Sequence, residues 1–163
     1  MRTSIITLTL AFAFFQCGGS SNSNATQEEA SVASESSSAD EVTLVLNTGD
    51  ALEYDKTELQ VKEGQSVTLT LNHSGQMAKE AMGHNFVLLK PGTDVAAFAT
   101  EALDARENEY IPAGGEQVIV HTKLIGGGES DTITFEAPPK GTYDYVCTFP
   151  GHYSLMQGKL IVG

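Results

Sequence analysis

The chain has 163 residues, in which 9 lysines and arginines face 21 aspartates and glutamates for a formal net charge of -12, with two cysteines and no tryptophan. That length allows one ordinary domain, and two cysteines allow at most one disulfide. Nucleic acid is excluded as a partner class, because such binding rests on Lys and Arg neutralising phosphates and the few positive charges here are scattered.

Residues 1–16 carry Arg2, then an apolar run from Ile5 to Phe15 broken only by Thr7 and Thr9, with no acidic residue. This is the plan of a signal peptide. The run is too short to cross a bilayer as a helix, which takes about 20 apolar residues. It ends at Cys17, and a cysteine directly after such a stretch resembles the lipid-attachment site of bacterial lipoproteins. Phe15 and Gln16 stand where small residues usually precede that cysteine. The expectation is a lipidated Cys17 that anchors the protein to a membrane; the alternative is cleavage within the following Gly/Ser stretch. Both readings export the protein to the periplasmic side, lipid-anchored in the first and soluble in the second.

Residues 17–39 continue with Gly, Ser, Asn, Ala, Gln and Glu and a single large aliphatic, Val32. Such a stretch cannot bury enough apolar surface to offset chain entropy. It reads as a tether with a reach of roughly 25 Å. The folded domain is expected over residues 40–163.

Period-two alternation at residues 42–46, 66–71 and 131–135 predicts half-buried strands. Further β-rich runs lie at 85–89, 117–125, 142–147 and 159–162, separated by Gly64, Pro91-Gly92, Gly114-Gly115, Gly126-Gly127-Gly128 and Pro138-Pro139. Seven to eight short strands with this punctuation predict an all-β fold, a Greek-key sandwich or barrel. Thr93-Asp94 followed by an alanine-rich run to Leu103 predicts one short helix beside it. The three consecutive glycines at 126–128 join two predicted strands and are expected to form a hairpin turn, since no helix follows for a phosphate cradle to open.

The chemistry concentrates at one place. Cys147, His152 and Met156 lie within ten residues across a Pro-Gly turn that can fold a thiolate, an imidazole and a thioether toward one point. His84, at the start of another strand, is the candidate fourth ligand. Thiolate, two imidazoles and a weak thioether form the set expected of an electron-transfer copper site. Cu(I) favours soft, low-coordinate surroundings and Cu(II) favours nitrogen, so a mixed set serves both states and little need move when an electron arrives. The set leaves no open position for substrate, unlike a catalytic metal centre. His73, in a turn-like stretch, and His121, within a strand, are read as structural.

Three segments, Met82-Gly83-His84-Asn85-Phe86-Val87-Leu88, His121-Thr122-Lys123-Leu124-Ile125-Gly126 and Cys147-Thr148-Phe149-Pro150-Gly151-His152, resemble the azurin family of cupredoxins. The spacing of four residues between Cys147 and His152 and three between His152 and Met156 fits that family better than the shorter loops of plastocyanin or amicyanin. The resemblance implies one type 1 blue copper, held by His84, Cys147 and His152 in a plane, with Met156 as a long axial ligand and the Gly83 carbonyl opposite. It also implies that Asn85 ties the ligand loops together and that an amide at Phe149 donates to the sulfur. Redox partners such as c-type cytochromes, oxidases or reductases would dock on an apolar patch of Met82, Phe149, Pro150, Gly151, Ser154 and Leu155 around His152. Two departures stand out: no cysteine is available for the family's N-terminal disulfide, and Phe86 takes the place of a tryptophan common there.

The expected function is therefore a membrane-tethered electron shuttle and not an enzyme. The rivals are a copper-handling protein without redox cycling, a copper oxidase or nitrite reductase, and a metal-free adhesive sandwich. Four histidines are too few for the additional copper that the enzymes need.

Overall fold

The computed structural model describes residues 40–163. The expected signal peptide, lipid-attachment residue Cys17 and tether lie outside the described residues. Among the described residues, eight strands form two sheets: β1 (Glu41–Thr48), β2 (Glu58–Val61), β3 (Ser66–His73), β4 (Val87–Leu89), β5 (Val118–His121), β6 (Ser130–Glu136), β7 (Gly141–Val146) and β8 (Gln157–Val162). The order is β1-β3-β6 in one sheet and β2-β8-β7-β4-β5 in the other. The β1/β3 and β2/β8 pairs are parallel and the rest antiparallel.

Alternation does its work most clearly in β3, where Val67, Leu69, Leu71 and His73 are buried and the intervening residues are partly exposed. Their apolar face shares one core with Leu88, Tyr145 and Leu160 of the other sheet, with Phe86 just before β4, and with Cys147 and Met156. On the outer face, Thr68 and Thr70 pair across the strands with Thr134 and Thr132.

Strand β2 was not among the runs read from sequence, because four residues with two apolar positions carry too little pattern. The run at 117–125 is also interrupted: pairing stops at His121 and resumes as one isolated bridge between His84 and Ile125. The glycines at 126–128 do not make a hairpin, since β5 and β6 belong to different sheets. They carry the chain from one sheet to the other across the 75–79 segment, where a Cβ on Gly127 would stand 2.6 Å from the Gln76 backbone.

The predicted helix is α2 (Val95–Ala102), capped by Asp94, whose Oδ1 accepts from the amides of Ala96 and Ala97. Phe98, Ala99 and Ala102 are its buried residues, and Phe98 joins Val87, Leu89, Ile111 and Val146 in a second, smaller core. It runs on into a 3-10 helix, Leu103–Asn108, and a separate single turn, α1 (Lys79–Met82), precedes the His84 segment. No helix among the described residues is long and apolar enough to cross a membrane.

Candidate metal centre

Strand β7 alternates Tyr143, Tyr145 and Cys147 toward the core, which sends the thiol inward at the strand end. Directly after it, Phe149-Pro150-Gly151-His152 makes a turn closed by the His152 amide donating to the Phe149 carbonyl at 3.0 Å. Proline suits the second position, and Gly151 at φ 83° supplies the left-handed third position that a type II turn requires. The His152 carbonyl accepts from the Leu155 and Met156 amides, and the Cys147 amide donates to the Met156 carbonyl at 2.9 Å. The loop is thus stapled at its base, with Met156 fully buried.

His84 comes from the other side. Its main chain exchanges two hydrogen bonds with Ile125, at 3.0 and 2.9 Å. Its Nε2 lies 2.9 Å from the Gly49 carbonyl oxygen, which can only accept. Nε2 is therefore the protonated nitrogen, leaving Nδ1 bare, and Nδ1 lies 3.9 Å from Cys147 Sγ. His152 Nδ1 stands 3.7 Å from the same sulfur. The ligand atoms of His84, Cys147 and His152 all lie within 4.8 Å of one another, and all three residues are buried.

Burial sets the protonation of the three. It lowers both imidazoles to about 4, so both are neutral lone-pair donors at neutral pH. Burial also raises the Cys147 thiol to about 11, against the opposing hydrogen bonds of the Asn85 and Phe149 backbones. A metal entering the site must displace that proton, after which the same backbone donors stabilise the thiolate. Two neutral imidazoles and one thiolate, closed off from water, fit a single copper ion.

Around this trio, Asn85 joins the two ligand-bearing segments. Its Oδ1 accepts from the Thr148 amide at 2.9 Å, while its Nδ2 donates to Thr148 Oγ1 at 2.8 Å and to the Glu109 carbonyl at 3.2 Å. The Gly83 carbonyl lies 4.0 Å from Cys147 Sγ. Phe86, fully buried, has its ring centroid 5.1 Å from that of Tyr145.

Of the two histidines read as structural, His121 is exposed at the end of β5. His73 is buried with its ring 4.9 Å from that of His84, its Nδ1 accepting from the Gly75 amide and its Nε2 facing the Met82 carbonyl. Nothing in the local sequence marks that neighbourhood. The patch residues divide: Leu155 is 65% exposed, with Pro150, Gly151 and Ser154 also exposed and Met82 half-buried, whereas Phe149 is buried with its ring 4.6 Å from that of His152.

Residues 40–163 match the family model described as copper binding proteins, plastocyanin/azurin family. The azurin of Achromobacter denitrificans is 44% identical over 120 residues, covering 71% of this chain and 80% of that protein. The solved structure of auracyanin A, titled a blue copper protein from Chloroflexus aurantiacus, is 41% identical with a TM-score of 0.68, over 76% of this chain and 99% of that one. The dithionite-reduced auracyanin of Roseiflexus castenholzii is 40% identical with a TM-score of 0.67, over 74% and 96% of the two chains. The chain belongs to the plastocyanin/azurin family of copper-binding proteins, with His84, Cys147 and His152 placed to hold one copper ion.

Proposed function

We propose that this protein is a blue copper electron carrier, tethered to a membrane on the periplasmic side through lipidated Cys17, passing single electrons between redox proteins such as c-type cytochromes, oxidases or reductases. The observation that carries the reading is the buried trio of Cys147 Sγ and two imidazole nitrogens, from His84 and His152, within 4.8 Å of one another. Bound there, copper supplies a one-electron couple between Cu(I) and Cu(II). His84, Cys147 and His152 would hold the ion, with the Met156 thioether as a weak further donor and the Gly83 carbonyl beside it. The closed loop and the Asn85 latch keep these donors in one arrangement for both oxidation states. Partners dock on the surface formed by Met82, Pro150, Gly151, Ser154 and Leu155, next to His152, which is only 5% exposed. A small apolar contact of this kind suits brief encounters.

The test is to add one equivalent of Cu(II) to the metal-free protein and record the visible spectrum before and after ascorbate. The expected outcome is an intense blue band that bleaches on reduction and returns on oxidation. Copper that binds without such a band, or exchanges rapidly with a chelator and never forms a stable Cu(II) state, supports copper handling instead.

A further inference from the structure

We propose that Glu109 and Tyr110 form a strained clasp that positions the two halves of the copper site, and that delivering this clasp is the task of the helical excursion over residues 95–110. The inference rests on the copper reading above. Among the described residues, Glu109 at φ 53° and Tyr110 at φ 62° are the non-glycine residues with left-handed backbone, and they are consecutive. A side chain there costs conformational energy, and such strain persists only where surrounding structure holds it in place.

The contacts that hold it run to the metal centre. The Glu109 carbonyl oxygen accepts from Asn85 Nδ2 at 3.2 Å, which turns the Asn85 side chain toward Thr148, the neighbour of Cys147. Glu109 Oε2 accepts from the Leu124 amide at 3.3 Å, and the next residue, Ile125, exchanges both main-chain hydrogen bonds with His84. The Tyr110 ring meets Phe149 edge-on at 5.4 Å, and Phe149 lies against the His152 ring. One dipeptide therefore touches residues that support all three ligands.

The start of the strained pair is set by the 3-10 helix before it. The Glu109 amide donates to the Arg106 carbonyl at 3.2 Å and the Tyr110 amide to the Ala105 carbonyl at 2.9 Å, ending the helix in the left-handed turn. From these consecutive positive φ angles the Glu109 carbonyl meets Asn85, its carboxylate meets the Leu124 amide, and the Tyr110 ring meets Phe149.

The experiment compares wild type with Tyr110→Leu, Tyr110→Phe and Glu109→Gly, each loaded with copper. Its readouts are the visible sulfur-to-copper band, the reduction potential and the electron self-exchange rate. Tyr110→Leu removes the ring contact; it is expected to bind one copper but to shift the band and slow self-exchange about tenfold, equivalent to about 1.4 kcal/mol on the barrier. Tyr110→Phe keeps the ring and should match wild type. Glu109→Gly adopts the left-handed backbone freely, so it should fold, yet lose the carboxylate on Leu124 and show the same kind of shift. Wild-type band, potential and self-exchange in both Tyr110→Leu and Glu109→Gly, even with altered melting temperature, would overturn the clasp. A wild type without the band removes the copper reading, and the clasp with it.

Discussion

The Tyr54 hydroxyl donates to the main-chain carbonyl of Asn85 at 2.5 Å in the buried interior, and so ties the loop between β1 and β2 to the segment that carries His84. Burial holds this phenol well above its ordinary range, with the nearby Cys147 thiol adding to the effect, so Tyr54 remains a donor at any physiological pH. Its ring packs edge-on with Tyr145 at 5.7 Å. Tyr54→Phe keeps that packing and strands the buried Asn85 carbonyl, which costs about 1–3 kcal/mol. Urea denaturation of the metal-free protein measures the loss; an unchanged midpoint would mean that another donor reaches the carbonyl.

Cys147 is the sole sulfur among the three clustered ligands. Cys147→Ser removes the soft donor and with it the sulfur-to-copper transition, so no blue band should form on adding Cu(II). A persisting band would place the thiolate elsewhere.

For Met156, the proposed role is that of a weak further donor to the ion. Met156→Leu should retain copper and colour while raising the reduction potential, because losing a donor disfavours Cu(II) more than Cu(I). Voltammetry of the loaded protein checks the sign, and a fall in potential contradicts the assignment.

Acid should destabilise the metal-free fold through His84 and His152. Both are lowered to about 4 by burial, whereas an unfolded histidine titrates near 6.5. Between those values the unfolded chain binds more protons, so stability contributed by the neutral imidazoles is present above about 6.5 and lost as pH falls toward about 4. Denaturation midpoints across that window should fall with decreasing pH, and His84→Gln should lessen the slope. Metal uptake has its own signature: with the thiol at about 11, loading at pH 7 should release one proton per copper, measurable in a weakly buffered titration.

If Cys17 carries lipid, the full-length protein should partition into membranes and Cys17→Ala should release it. Fractionation of cells expressing both forms decides the point, and equal partitioning would remove the lipid anchor from the reading.

Much of the metal centre was legible because its donors are local. Cys147 and His152, two of the three residues that the structure brings together, fall within one loop around a Pro-Gly turn, and a thiol and an imidazole so spaced have few joint uses. Val67, Leu69 and Leu71 made β3 legible in the same way, through a period that a half-buried strand imposes. Strand β2 escaped because Leu59 and Val61 gain their meaning only from the parallel partner β8. The glycines at 126–128 were misassigned as a hairpin because a turn within a sheet and a crossing between sheets use the same residue, and only the paired strands distinguish them.

By itself, the sequence determined the strand-rich class, the ligand types and their spacing, because alternation and the donor set are properties of neighbouring residues. Tertiary structure alone decided that His73 lies against His84, that Gly49 fixes the His84 tautomer, that Tyr54 and Thr148 grip Asn85, and that Glu109 and Tyr110 reach the centre from the helical excursion. Each of these contacts joins residues separated by 11 to 63 positions or more than one element, and their energy depends on distance and burial, which exist only once the two sheets have closed on each other.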